Sequence, residues 1–210
     1  MIQLRGVSKV VDSGGPKTVL LDQVNVDIPT DRRIAVSGKD LTEAISIVHL
    51  LSGQTLPNVG YIRRSVSVSY PLGYIGAFEP DLSVRENVMH VARLYGADPG
   101  ATCRHAASLA HLGGDFDKPF GGLTRDQKTV VSQIVGCSLP FDTYCLHNDP
   151  RRKPQDFFTT WLKTIRNKGV ILPVYSLRGA ADMCDMAIVA KRGELLLFDR
   201  IEAALEPSER

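Results

Sequence analysis

The chain has 210 residues, 43% of them apolar, and its 25 basic side chains against 23 acidic ones leave a net charge of +2. That size suits one globular domain able to bury its own core, and the balanced charge excludes the strong positive field of a nucleic-acid or anionic-membrane binder. Four well-separated cysteines without a C-x-x-C pair give no disulfide framework and no zinc spacing, and no apolar window reaches the ~18 residues of a membrane span, so a cytoplasmic chain with reduced thiols and no bound metal is expected.

Short apolar runs between turn residues come first in the chain. "IQLRGV", "VLLDQVNVDI", "RRIAVSG" and "GYIRRSVSVSY" read as strands, with "DSGGPK" at 12 to 17 as a hairpin loop. Behind "AVSG", the stretch "DLTEAISIVHLLSG" sets Ile45, Val48, Leu50 and Leu51 mostly along one side at helical spacing and stops at Gly53. A buried helix follows a buried strand. From about 80 to 140 the signals turn helical. In "LSVRENVMHVARLYG", Ser83 and Glu86 stand three apart as a capping box and Gly96 closes the helix; "CRHAASLAHLGG" and "RDQKTVVSQIVGCSL" supply two more, the last leading into the strand "FDTYCL". The final third alternates: "FFTTWLKTIRNKG" as a helix with Trp161 on its apolar face, "VILPVYS" as a buried strand, "MAIVAKRGELLLFD" as a hairpin turning at Arg192-Gly193, and "RIEAALE" as a short helix. Strands separated by helices predict an α/β domain with a parallel sheet, and the helical middle reads as an inserted subdomain.

This order of elements, with "VSK", "GYIRR", "LSVRENV", "RLYG" and "RGELLLFD" at their positions, resembles the ATP-binding cassette family, and within it the small ATPase subunits of capsular polysaccharide exporters. The resemblance covers nearly the whole chain. It implies one cassette domain over 1–210 of the P-loop NTPase type, with an α/β core and antiparallel β subdomain at 1–80 and 141–210 and a helical subdomain at 81–140. It also implies ATP with magnesium as the ligand of intact members.

The motifs that hold those ligands depart from the family pattern. A phosphate loop G-x-x-x-x-G-K-[ST] rings phosphates with backbone N–H groups, reaches them with its lysine and holds magnesium with its hydroxyl. Counted from Gly38, Glu43 stands at the second glycine, Ala44 at the lysine and Ile45 at the hydroxyl, with Ser46 following; Lys39 sits five positions early. A carboxylate ~4 Å from a phosphate costs about 1 kcal/mol per charge pair even in bulk water. Asp40 and Glu43 instead form an Asp-x-x-Glu pattern resembling a capping box, which predicts that these acids serve the helix N-terminus themselves.

At the positions of the family's magnesium aspartate and catalytic glutamate stand His147 and Asn148, with Asp149 one residue too late; neutral groups neither compensate a divalent ion nor act as the carboxylate base. The signature loop corresponds to Leu123, Thr124, Arg125, Asp126 and Gln127, where Thr124 can cap the next helix but Arg125 and Asp126 replace glycines. Glu79 occupies the glutamine-loop position, Tyr175 the switch histidine, Val11 the adenine-stacking aromatic and Pro154 the dimer-coupling aspartate. His49, His90, His105 and His111 read as packing or surface residues, and "PRRKP" at 150 to 154 as a solvated turn.

The preferred function is therefore a non-hydrolysing cassette subunit of a polysaccharide export system. It needs no cofactor, lies peripherally on the inner face of the inner membrane, and docks a membrane-spanning subunit through an apolar groove at Tyr70, Tyr74, Phe78 and Leu82. Loss of shared ATP predicts a monomer or a weak or atypical homodimer, or pairing with another cassette subunit. Two alternatives stay open: an active transport ATPase with a rearranged site, and a soluble regulatory or scaffold protein that kept the fold.

Overall fold

A computed structural model describes residues 1–11, 17–110, 113–148 and 165–205. The chain forms two compact units, the first built from Met1–Pro71 with the chain from Asp142 and from Asn167, the second mainly from Leu72–Phe141.

In the first unit β1 (Ile2–Val11) pairs antiparallel with β2 (Thr18–Ile28) on one side and with β4 (Val59–Arg64) on the other. The predicted hairpin loop at 12 to 17 falls outside the described residues except for Lys17. Alternation along the strands puts Ile2, Leu4, Val7, Leu20, Val24 and Ile28 on the buried face, while Asp27 and Arg5 meet on the outer face at 2.6 Å. The strand predicted through Tyr70 ends instead at Arg64, and beyond it only Val68 makes an isolated bridge, to Thr143. Its serines explain the early end: Ser67 and Ser69 spend their hydroxyls on Asp142 and on the Cys145 and Tyr70 backbone rather than presenting a regular ladder.

A second sheet runs in the order β5 (Thr143–Cys145), β6 (Gly169–Pro173), β3 (Arg33–Ser37), β7 (Met186–Lys191), β8 (Glu194–Phe198). The first four strands are parallel and β8 antiparallel. All five residues of β6 are buried, as expected of a parallel strand covered on both faces. The helix α1 (Leu41–Ser52) packs Ala44, Ile47, Val48, Leu50 and Leu51 into the core shared by both sheets, while Ile45 stays half-buried. Gly53 ends α1 in a left-handed conformation, and Arg64 closes the end by donating to the Leu50 and Leu51 carbonyls. The β7–β8 turn at Arg192-Gly193 has both residues at positive φ, 53° and 86°, matching the right-handed twist of a tight hairpin.

The second unit holds α2 (Val84–Leu94), α3 (Pro99–Ala110) and α4 (Arg125–Cys137). The Ser83–Glu86 capping box forms as read. The helix α3 starts four residues before the expected Cys103, because Asp98 accepts from the Ala101 N–H and Pro99 occupies the first helical position. Asn87 is 1% exposed and fully engaged: its Oδ1 accepts from the Glu79 N–H and its Nδ2 donates to the Glu79, Leu82 and Ser83 carbonyls. Asn87→Ala would strip that turn of its partners and should cost about 2 kcal/mol, read as a fall of ~5 °C in the thermal midpoint.

The helix predicted around Trp161 and the "PRRKP" turn lie outside the described residues. So do Asp149, Pro154 and His111.

Candidate functional site

The β3–α1 connection lets its own side chains occupy the positions an anion would take. Asp40, the N-cap, has extended backbone (φ −149°, ψ 172°) and its Oδ1 accepts from the Glu43 N–H at 2.8 Å. Glu43 folds back so that its Oε2 accepts from the Lys39 N–H at 2.5 Å. A full capping box would send that second bond to Asp40; here it reaches one residue further back, to Lys39. The carboxylate lies so close over Gly38 that a Cβ there would meet Glu43 Oε2 at 2.6 Å. Two loop amides are thereby taken by internal acids, and a phosphate would face a fixed carboxylate.

Ala44 is buried in the core, and the half-buried Ile45 offers no hydroxyl. Lys39, Asp40, Glu43 and Ser46 line one cavity of about 350 Å³ with Val11, Thr18 and Leu20. Its acids, and the lack of a lysine or hydroxyl at 44 and 45, do not fit a magnesium triphosphate.

His147 follows β5, and its Nδ1 lies 2.9 Å from Nε2 of His49 on α1. The sequence reading of His49 as a packing or surface residue missed this pairing, because residues 98 apart in sequence give no local signal. Burial, and then the neighbouring imidazole, lower the His49 pKa to about 4. His49 is therefore neutral in the folded protein where an unfolded histidine would be protonated. Stability is full above the unfolded pKa near 6.5 and falls as pH drops toward 4, by on the order of 2 kcal/mol after allowance for partial exposure. His49→Gln should flatten the thermal midpoint between pH 6.5 and 4. An unchanged slope would remove the pair as its cause.

The signature-like loop is organised in the same way. Thr124 caps α4, accepting from the Gln127 N–H, and Gln127 Oε1 accepts from the Thr124 N–H at 2.9 Å. The T-x-x-Q spacing could have announced this reciprocal box. Leu123 is buried, whereas Arg125 and Asp126 are exposed. Glu79 holds its place through its backbone bonds to Asn87, and Tyr175 stands 81% exposed after β6. The expected docking groove needs correction. Tyr70 and Phe78 are each 6% exposed, with Phe78 stacked on Phe120 at 5.1 Å, while Tyr74 and Leu82 are half-buried. The rings went inward because an aromatic in reach of a core gains more from burial than from solvent.

Among the described residues, no group of three or more His, Cys, Asp or Glu side chains gathers as a metal site, and no helix is long and apolar enough to cross a membrane. Burial pushes the Cys137 and Cys145 thiols up to about 12, leaving them inert.

No family model matches the chain. Over 98% of its length it is 25% identical to the ATP-binding protein BexA of Haemophilus influenzae, covering 97% of that protein. It is 24% identical to the capsule polysaccharide export ATP-binding protein CtrD of Neisseria meningitidis serogroup B, with the same coverage of both chains. It is 22% identical to a polysialic acid transport ATP-binding protein, KpsT, of Escherichia coli, over 98% of this chain and 95% of that one. In fold it matches the dimeric cassette MJ0796 bound to ADP and phosphate, with a TM-score of 0.72 and 13% identity over 96% of this chain and 99% of the other. The chain thus has the fold of an ATP-binding cassette and is similar from end to end to ATP-binding subunits of capsule export.

Proposed function

We propose that this chain is a cassette subunit of a capsular polysaccharide export system whose own site does not turn over ATP. It acts there as a structural or regulatory partner of a membrane-spanning subunit. The observation that supports this most is Glu43, folded over Gly38 with its carboxylate on the Lys39 N–H. His147 and Asn148 at the magnesium and base positions point the same way.

Docking rests on Tyr74 and Leu82, half-buried, rather than on the buried Tyr70 and Phe78. Oligomerisation is proposed to be independent of ATP, so that the chain is a monomer, a weak or atypical homodimer, or half of a pair with another cassette subunit.

Phosphate release from magnesium-ATP, followed with light scattering on the purified full chain, tests the reading. No release above buffer and no ATP-driven dimer are expected. Turnover, or a dimer that forms only with ATP, would overturn it in favour of an active ATPase with a rearranged site. Copurification with an exporter membrane subunit separates the docking role from a soluble scaffold, and its failure would favour the scaffold.

A further inference from the structure

Beside the loop lies a second cleft, of about 490 Å³, whose walls are the β3–α1 loop, the start of β2 and the β7–β8 turn. Three cations line it: Lys39, Lys191 and Arg192. Among the described residues none of these three side chains has a hydrogen-bond or ion-pair partner. One carboxylate, Glu43, shares the lining and already accepts from the Lys39 N–H. Three cations against one acid leave a surplus of two positive charges, which matches one dianion.

The cleft is held in shape from several sides. Gly193 accepts from the Asp22 N–H at 2.8 Å, pinning the turn to β2, and Arg192 is fixed at a φ of 53° by the tight turn it occupies. Lys39 is anchored through its own amide. Binding would thus need side-chain ordering but no backbone rearrangement.

Two of the loop amides, those of Glu43 and Lys39, are already taken by Asp40 and Glu43. A bound anion would meet ammonium and guanidinium groups, with Arg192 suited to grip two oxygens at once. The space exceeds what an inorganic anion fills, and Thr18, Val19 and Val189 offer walls for a small organic body.

We infer that this cleft binds a small phosphate monoester, its dianion held by Lys39, Lys191 and Arg192 and its organic part against Val19 and Val189. This goes beyond the proposed function and does not depend on whether ATP is hydrolysed. Glu43 at the border disfavours longer polyphosphates, whose added charges would approach it.

Isothermal titration of the full chain with sodium glycerol 3-phosphate, inorganic phosphate and sodium chloride at matched ionic strength tests it. Glycerol phosphate should bind saturably with a dissociation constant on the order of 1 mM, more tightly than inorganic phosphate, while chloride shows no saturation. The pair Lys191→Gln and Arg192→Gln, and separately Lys39→Gln, should weaken it by at least about tenfold, and Arg63→Gln on exposed β4 should leave it unchanged. These substituted side chains are exposed, so the unliganded thermal midpoints should stay put and a lost titration reads as lost binding. Non-saturable heats, equal binding in the Lys191→Gln, Arg192→Gln variant, or inorganic phosphate binding as tightly as the ester would each overturn the assignment.

Discussion

Glu43→Gly is expected to raise this protein's affinity for nucleoside polyphosphate above that of the native chain. The substitution removes a carboxylate held over Gly38 and frees the Lys39 N–H to face the cavity. Removing one like charge ~4 Å away is worth about 1 kcal/mol in bulk water and about 4 kcal/mol near a protein surface. Binding of ADP should therefore tighten by about fivefold to about a thousandfold.

Glu43→Gln separates the two contributions, because an amide oxygen can still accept from Lys39 while the charge is gone. It should gain the electrostatic part alone. The gain should persist with Lys191→Gln and Arg192→Gln present, which distinguishes the loop from the neighbouring cleft. Hydrolysis should stay absent in all of these variants, since His147 and Asn148 still replace the carboxylates that hold magnesium and activate water. If neither substitution at Glu43 tightens binding, the plugged loop is not what excludes the nucleotide.

The second large effect concerns the fold. Gly169 opens β6 against the chain leading into β3, and a Cβ there would lie 1.9 Å from the Thr30 carbonyl oxygen. That neighbour is backbone and cannot swing aside. Three bonds hold the crossing together: the Gly169 N–H to the Asp142 carbonyl, the Thr143 hydroxyl to the Thr30 carbonyl, and the Val170 N–H to the Arg32 carbonyl.

Gly169→Ala should therefore cost about 3 kcal/mol or more, at the upper end for overpacking, and lower the thermal midpoint by ~6–12 °C. Gly122→Ala is the control, because nothing lies within 4 Å of its added carbon and it should change little. Equal midpoints for the two variants would show that the β6 crossing has slack.

How much of this was legible in the sequence depends on how local the cause was. The helix α1, its stop at Gly53, the Ser83–Glu86 box and the Arg192-Gly193 turn each follow from residues a few positions apart, and all four form as read. The acids at 40 and 43 were legible as helix-end groups, though the second bond goes to Lys39 because a glutamate side chain can reach past the N-cap. The His49–His147 pair was not legible, since it exists only once β5 is laid beside α1's flank. Tyr70 and Phe78 misled for a related reason: an aromatic-rich stretch looks the same in sequence whether its rings line a groove or fill a core. The early end of β4 hid behind alternating Ser and Val, a pattern that suits a strand until the hydroxyls find nearer partners.

Both ends of α1 are tied down from within its own unit, by Asp40 and Glu43 at the start and by Arg64 at the finish. In a machine driven by ligand turnover, the element behind the loop is the one that senses which stage of the cycle has been reached. Here two of the amides at that end are already engaged by the loop's own acids. The anchoring of α1 is therefore built into the chain, and its stability should not depend on an anion arriving at the loop.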